Sequence, residues 1–206
     1  MRRAVLLCLL ASPAFADTIA TDNSTLATAP TEWLGPTPHL VIMGTLNGHA
    51  LNIQVTDPAA STAVAEFAGK REYLPGDAEA FRYGDFEVSL KAEIGGVERS
   101  FELEFENDDF ANINLPADFA LGAENFPKGS AAFLEVSAEW EDAAGSVNDE
   151  IGGFTGTLSL KLDDGTPDDK GLRADGMIGG LVIAENAGET LVISFTVPVA
   201  EYEIDD

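Results

Sequence analysis

The chain reads as all-β: a single antiparallel β-sandwich, or alternatively a closed or partly open β-barrel, with one short helix. Three observations predict this. Apolar residues recur at every second position through most of the stretch from His39 to Val199, the period of a half-buried strand. Turn signals punctuate the pattern at Asn47-Gly48, Gly95-Gly96 and Asn186-Ala187-Gly188. No change of composition divides the alternating region, and 206 residues fit one domain or at most two.

Residues 1–16 read as a cleavable signal peptide. Met1, Arg2 and Arg3 give a positive start, Ala4 to Leu10 an apolar core, and Ala14-Phe15-Ala16 a small-x-small site before Asp17. A membrane anchor would need about 20 apolar residues, roughly twice this length. Cys8 lies inside the apolar core without the small residues that should precede a lipid-bearing cysteine, and the arginine pair lacks polar neighbours for twin-arginine export. The expected location is therefore periplasmic or extracellular. Cys8 is the chain's one cysteine, so the exported part is expected to have neither disulfide nor thiol chemistry.

Residues 17–38, rich in Thr, Ala, Ser and Pro, read as an extended N-terminal segment or linker with Trp33 as its one large anchor. The β domain is expected over 39–199. In its first hairpin the Asn47-Gly48 turn sets Leu46 opposite His49, Gly44 opposite Leu51, Ile42 opposite Ile53 and Leu40 opposite Val55, which collects the apolar side chains on one face. Asp57-Pro58 then suits a helix start and Gly69 a helix stop, so a short helix is expected between them. The second hairpin turns at Gly95-Gly96 and sets Leu90 opposite Phe101, Val88 opposite Leu103 and Phe86 opposite Phe105. Alternating runs follow at Ala132–Trp140 and Phe154–Leu162, and Met177–Glu185 with Glu189–Val197 form the last hairpin. About eight strands result, a number suited to a sandwich or barrel. Residues 200–206 read as an acidic tail.

Charge excludes several roles. Thirty-six acidic residues against 11 basic ones give −25, and losing Arg2 and Arg3 with the leader makes the balance more negative still. Such a field repels nucleic acid and anionic membranes and attracts cationic partners. Acidic outward positions on the strands argue against a lipid-facing barrel. No nucleic-acid partner and no membrane insertion are expected; the oligomeric state stays open.

The second hairpin carries the most distinctive chemistry. Its register sets Asp85 opposite Glu106, Glu87 opposite Glu104, Ser89 opposite Glu102 and Glu93 opposite Glu98, with Lys91 the one base among them. Like charges directly across a strand pair repel. Three readings stay open: a solvated face that resists aggregation, a docking surface for a cationic protein, or an oxygen-rich Ca²⁺ site. Asp85, Glu87, Glu104 and Glu106 are the metal candidates there, and Glu93, Glu98 and Glu102 the partner-binding candidates. Asp163, Asp164, Asp168 and Asp169 form a second Ca²⁺ candidate, although their spacing matches no EF-hand loop and Asp and Gly also suit ordinary turns. No other cofactor is expected.

Catalytic patterns are sparse. His39 and His49 fall at opposite ends of the first hairpin, more than about 20 Å apart at strand rise, so a shared zinc site is not expected. No Gly-x-Ser-x-Gly is present. Trp33, Tyr73 and Tyr83 are further partner-binding candidates, as a saccharide-stacking platform or, beside Lys70, Arg71 and Arg82, as a locally basic aromatic stretch. Trp140 alternates with core residues and reads as core. The leading expectation is a non-enzymatic binding or envelope-associated structural module. The alternatives are a Ca²⁺-assisted carbohydrate-binding or adhesion module and, third, a carboxylate-based hydrolase.

Overall fold

The computed structural model describes residues 18–20, 26, 28–55, 63–73, 81–94, 97–107, 115–122, 131–142, 145–166 and 176–205. The expected leader, residues 1–16, lies outside them. Twelve strands account for most of these residues, and no helix occurs among them. In chain order they are β1 (Thr18–Ala20), β2 (His39–Leu46), β3 (His49–Val55), β4 (Ala63–Tyr73), β5 (Phe81–Ile94), β6 (Val97–Glu106), β7 (Ala117–Leu121), β8 (Ala131–Asp142), β9 (Gly145–Gly152), β10 (Thr155–Asp163), β11 (Met177–Asn186) and β12 (Glu189–Asp205).

Local chemistry fixes the hairpins. Asn47 and Gly48 both hold positive φ, 49° and 78°, the two-residue turn whose twist matches its flanking strands. β2 and β3 then pair from Leu46 with His49 down to Leu40 with Val55, the expected register. The β5–β6 hairpin likewise pairs Val88 with Leu103 and Leu90 with Phe101. β11 and β12 join through Ala187 and Gly188, at φ 48° and 97°. Alanine is strained there; a left-handed conformation costs an L-residue about 1–2 kcal/mol.

The strands form one strongly curled sheet in the order β1-β3-β2-β12-β11-β10-β7-β8-β6-β5-β4, with β9 added on β8. Strand β12 is long enough to serve twice. Its first half pairs with β2 and β11, and Val199 to Asp205 pairs in parallel with β4. The stretch expected as an acidic tail is thus strand to Asp205. Among the described residues, β7 and β8 pair in parallel at Ala120 with Ala131 and Leu121 with Ala132, and the Gly122 N–H donates to the Ala132 carbonyl at 3.0 Å.

The expected helix between Asp57 and Gly69 is corrected over its second half, where residues 63–69 belong to β4. Residues 57–62 lie outside the described set. Ala65 pairs with Leu90, Phe67 with Val88 and Gly69 with Phe86, while Val199 supplies a neighbour for Phe67 on the other side. Two strand partners outweigh the weak helical preference of an Ala-rich segment.

Alternation sends one face of β2, β3, β5, β6, β8, β10, β11 and β12 into a single core, including Leu40, Ile53, Val88, Leu103, Leu134, Leu158, Val182 and Ile193. Phe101, Phe105, Phe154 and Phe195 are fully buried; truncating any one to Ala costs about 3–5 kcal/mol. Two hairpin tips converge on β9. Asn47 Nδ2 donates to Asp149 Oδ1 at 2.7 Å, and Asn186 Nδ2 donates to the Gly152 carbonyl at 2.9 Å. The Gly48 N–H donates to Glu189 Oε1 at 2.9 Å and ties the tips to each other.

Candidate functional site

The core-facing residues of β5, β6 and β8 fix what the opposite face presents. A one-residue slip would exchange the two faces, so Val88, Leu90, Phe101, Leu103, Leu134 and Val136, all buried, hold the polar set outward. That set forms rows across the sheet. Glu87 pairs with Glu104, Glu104 with Glu135, and Glu135 with Gly152. The next row runs Ser89, Glu102, Ser137, Glu150, and the one beyond it Lys91, Ser100, Glu139, Asn148.

Within the last two rows, β6, β8 and β9 build a shallow groove of about 200 Å³. Its floor is a checkerboard: Glu102, Glu139 and Glu150 alternate with Ser100, Ser137 and Asn148. Diagonal neighbours on a sheet lie about 7–8 Å apart, which sets Glu139 between Glu102 and Glu150. Asp149, at the margin, is held by Asn47 from the β2–β3 turn.

Glu135 shows the electrostatic consequence. Burial raises its pKa above the ordinary glutamate value, and the negative charge of Glu150 raises it further. Gly152 makes room for it. A Cβ on Gly152 would stand 2.8 Å from the Phe133 ring and 3.1 Å from Glu135 Oε2.

The other sequence-derived candidates are dispersed. Glu98 is exposed at the register position facing Glu93, and Glu106 is buried at the end of β6. Asp85 and Glu93 are placed by register alone. Asp164 Oδ1 accepts the Met177 N–H at 2.6 Å and so closes its own loop. Asp163 pairs with Ile178, and Asp168 and Asp169 lie outside the described residues. Among the described residues, no group of three or more His, Asp or Glu side chains is arranged to hold a metal ion. Tyr73 and Tyr83 fall on β4 and β5, at positions pairing with Phe81 and Glu72. The groove's β8 and β9 residues, Ser137, Glu139, Asn148 and Glu150, escaped sequence reasoning. β9 alternates only weakly, and nothing local says which strand it joins.

A second polar cluster lies on the outer face of β2 and β12. His39 is buried, with Nδ1 2.7 Å from the Thr37 carbonyl and Nε2 2.9 Å from Ser194 Oγ. A carbonyl can only accept, so Nδ1 carries the proton and Nε2 accepts from the Ser194 hydroxyl. Ser194 Oγ in turn accepts the Leu34 N–H at 3.2 Å. Burial pushes the His39 pKa down, opposed by the Thr37 hydrogen bond. A hydroxyl beside a neutral imidazole has the outline of an activated nucleophile. Ser194, however, is wholly enclosed, and the partner that orients the imidazole is a backbone carbonyl. This pair is a fastening.

Trp33 belongs to the same cluster. Its indole N–H donates to the Phe195 carbonyl at 3.0 Å and to Thr196 Oγ1 at 3.1 Å. Trp140 is buried at the core margin, with His49 edge-on at 5.4 Å and Arg99 5.0 Å from the ring centre.

Compared with known proteins, the chain matches no family model, no curated protein and no solved structure.

Proposed function

We propose that the protein is an exported, non-enzymatic binding module that docks a cationic protein segment in the groove between β6, β8 and β9. One observation carries the reading: the groove floor interleaves three carboxylates, Glu102, Glu139 and Glu150, with the small polar residues Ser100, Ser137 and Asn148. A face selected for solubility alone more often mixes signs. Here, among the described residues, Lys91 is the one cation on the rows that form the groove. Carboxylates on a diagonal of about 7–8 Å let one guanidinium or ammonium group lie between two of them. The hydroxyls and amide supply further hydrogen-bond partners without adding charge. Attraction of this kind raises association rate and selects partners by sign.

The reading of export is supported by the leader-like pattern of Met1 to Ala16, and on that reading the partner is met outside the cytoplasm. We read the curled sheet as a partly open barrel. Pairing of β12 with both β11 and β4 supports this, and the short pairing of β7 with β8 is its weak seam. The groove then lies on the outer wall, backed by the hairpin tips that brace β9.

The test is a chemical-shift map of the mature chain titrated with a short arginine-rich peptide. The expected result is perturbation centred on residues 100–102, 137–139 and 148–150. Perturbation spread evenly over the acidic surface, or none, overturns the proposal.

A further inference from the structure

On the outer face of β2 and β11, three apolar side chains stand buried among the polar ones. Alternation directs Val41, Met43 and Leu181 outward, yet each is less than a tenth exposed. Leu26 and residues 28–38 of the same chain are fastened across this face. Gln54 clamps one residue of it from both sides: Leu26 N–H donates to Oε1 at 2.7 Å, and Nε2 donates to the Leu26 carbonyl at 3.1 Å. Leu34 N–H reaches Ser194, and Thr196 Oγ1 donates to the Gly35 carbonyl at 2.8 Å. The Trp33 ring lies against Gly179, where a Cβ would stand 3.0 Å from Cζ2.

His39 is where this strap joins the sheet. Its Nδ1 holds the strap at Thr37, and its Nε2 accepts from the Ser194 hydroxyl that holds Leu34. Of all these anchors, His39 alone belongs to a residue type that changes charge between about pH 5 and about pH 8.

We propose that residues 28–38 form a pH-released strap, fastened by neutral His39 across Ser194 and freed when His39 is protonated, which uncovers Val41, Met43 and Leu181. On protonation Nε2 becomes a donor, and the Ser194 hydroxyl loses its acceptor. Ser194 Oγ then faces two donors, Nε2–H and the Leu34 N–H, and the imidazolium is enclosed. A buried charge without a counter-charge is costly. Among the described residues packed around His39, β2 and β3 contribute no carboxylate, nor do Ser194 to Thr196 of β12 or Gly179 of β11. On the strap the one ionisable group is Glu32, which is exposed. The burial that lowers the His39 pKa acts in the same direction.

Trp33 and Trp140 are the chain's two tryptophans, so a Trp140→Phe variant makes Trp33 a reporter of the strap. Between about pH 7.5 and about pH 5.5, where most carboxylates stay ionised, Trp33 emission is expected to shift to the red and an apolar dye to bind, with far-ultraviolet circular dichroism unchanged. A His39→Gln exchange in the same background removes the transition. Emission that stays constant over this interval, or a transition with the same midpoint in the His39→Gln variant, overturns the proposal. In the unsubstituted protein, hydrogen exchange at the Leu34 amide gives an independent reading. Loss of its protection at the lower pH, beyond the intrinsic change in exchange rate, supports release; retained protection overturns it.

Discussion

Glu135 and Gly152 face each other across β8 and β9, with Glu135 Oε2 3.1 Å from the point a Cβ on Gly152 would occupy. The bare glycine lets a half-buried carboxylate and the Phe133 ring share that space. Two outcomes follow at this pair. Gly152→Ala costs about 1–3 kcal/mol in urea unfolding, because the added carbon meets the buried Phe133 ring at 2.8 Å. A loss within error would mean the ring moves aside freely.

Glu135→Gln acts in the opposite sense. The folded-state pKa of Glu135 is raised, so its charge opposes folding once the pH exceeds the ordinary glutamate value. At neutral pH and low salt the glutamine variant is expected to be more stable by about 0.2–1 kcal/mol, the range for cross-strand charge effects. The gain disappears in acid, where Glu135 is protonated in folded and unfolded chains alike. Urea midpoints of both proteins across the pH range give the comparison; a gain that persists in acid contradicts the electrostatic cause.

His39 sets a second pH window with its own sign. Its folded-state pKa lies below the ordinary 6.5, so the unfolded chain binds the proton more readily. The associated stability is complete above 6.5 and is lost as the pH falls from there through the lower folded value. His39→Gln flattens this part of the stability profile. A profile unchanged by the substitution places the dependence elsewhere.

Ala187 holds a left-handed conformation, φ 48°, in the β11–β12 turn. Ala187→Asn, with Gly188 following, creates the dipeptide that this turn favours and raises the unfolding free energy by about 0.5–1 kcal/mol. An unchanged or lower melting temperature counts against the turn geometry.

Legibility in the sequence followed how local each determinant is. Asn47-Gly48 and Gly95-Gly96 each mark a tight turn, and alternation on both sides then leaves one register, so Ile42 opposite Ile53 and Glu87 opposite Glu104 could be written down from the residues. β4 was hidden because Pro58 and Gly69 bracket an Ala-rich stretch that also suits a helix, and its strand partners are remote: Val88, and Val199 far along the chain. The strand ending of β12 reads as an acidic tail for the same reason, since its pairing with β4 is supplied from elsewhere. The groove was half visible. Glu102 stood out on its hairpin, whereas Glu150 joins it only through β8, by way of Ser137. His39 and Ser194 are 155 positions apart, and no spacing rule connects them.

On the proposed reading, Glu102, Glu139 and Glu150 form a seat for a cationic group. Calorimetric titration of the protein with a short arginine-rich peptide checks this, with the Glu102→Gln/Glu139→Gln/Glu150→Gln variant as comparison and Glu98→Gln as the off-groove control. The expected result is salt-sensitive binding, weakened about tenfold or more in the triple variant, which corresponds to at least about 1.4 kcal/mol, and little changed in the control. Equal affinity and equal salt dependence in the wild type and the triple variant would contradict it.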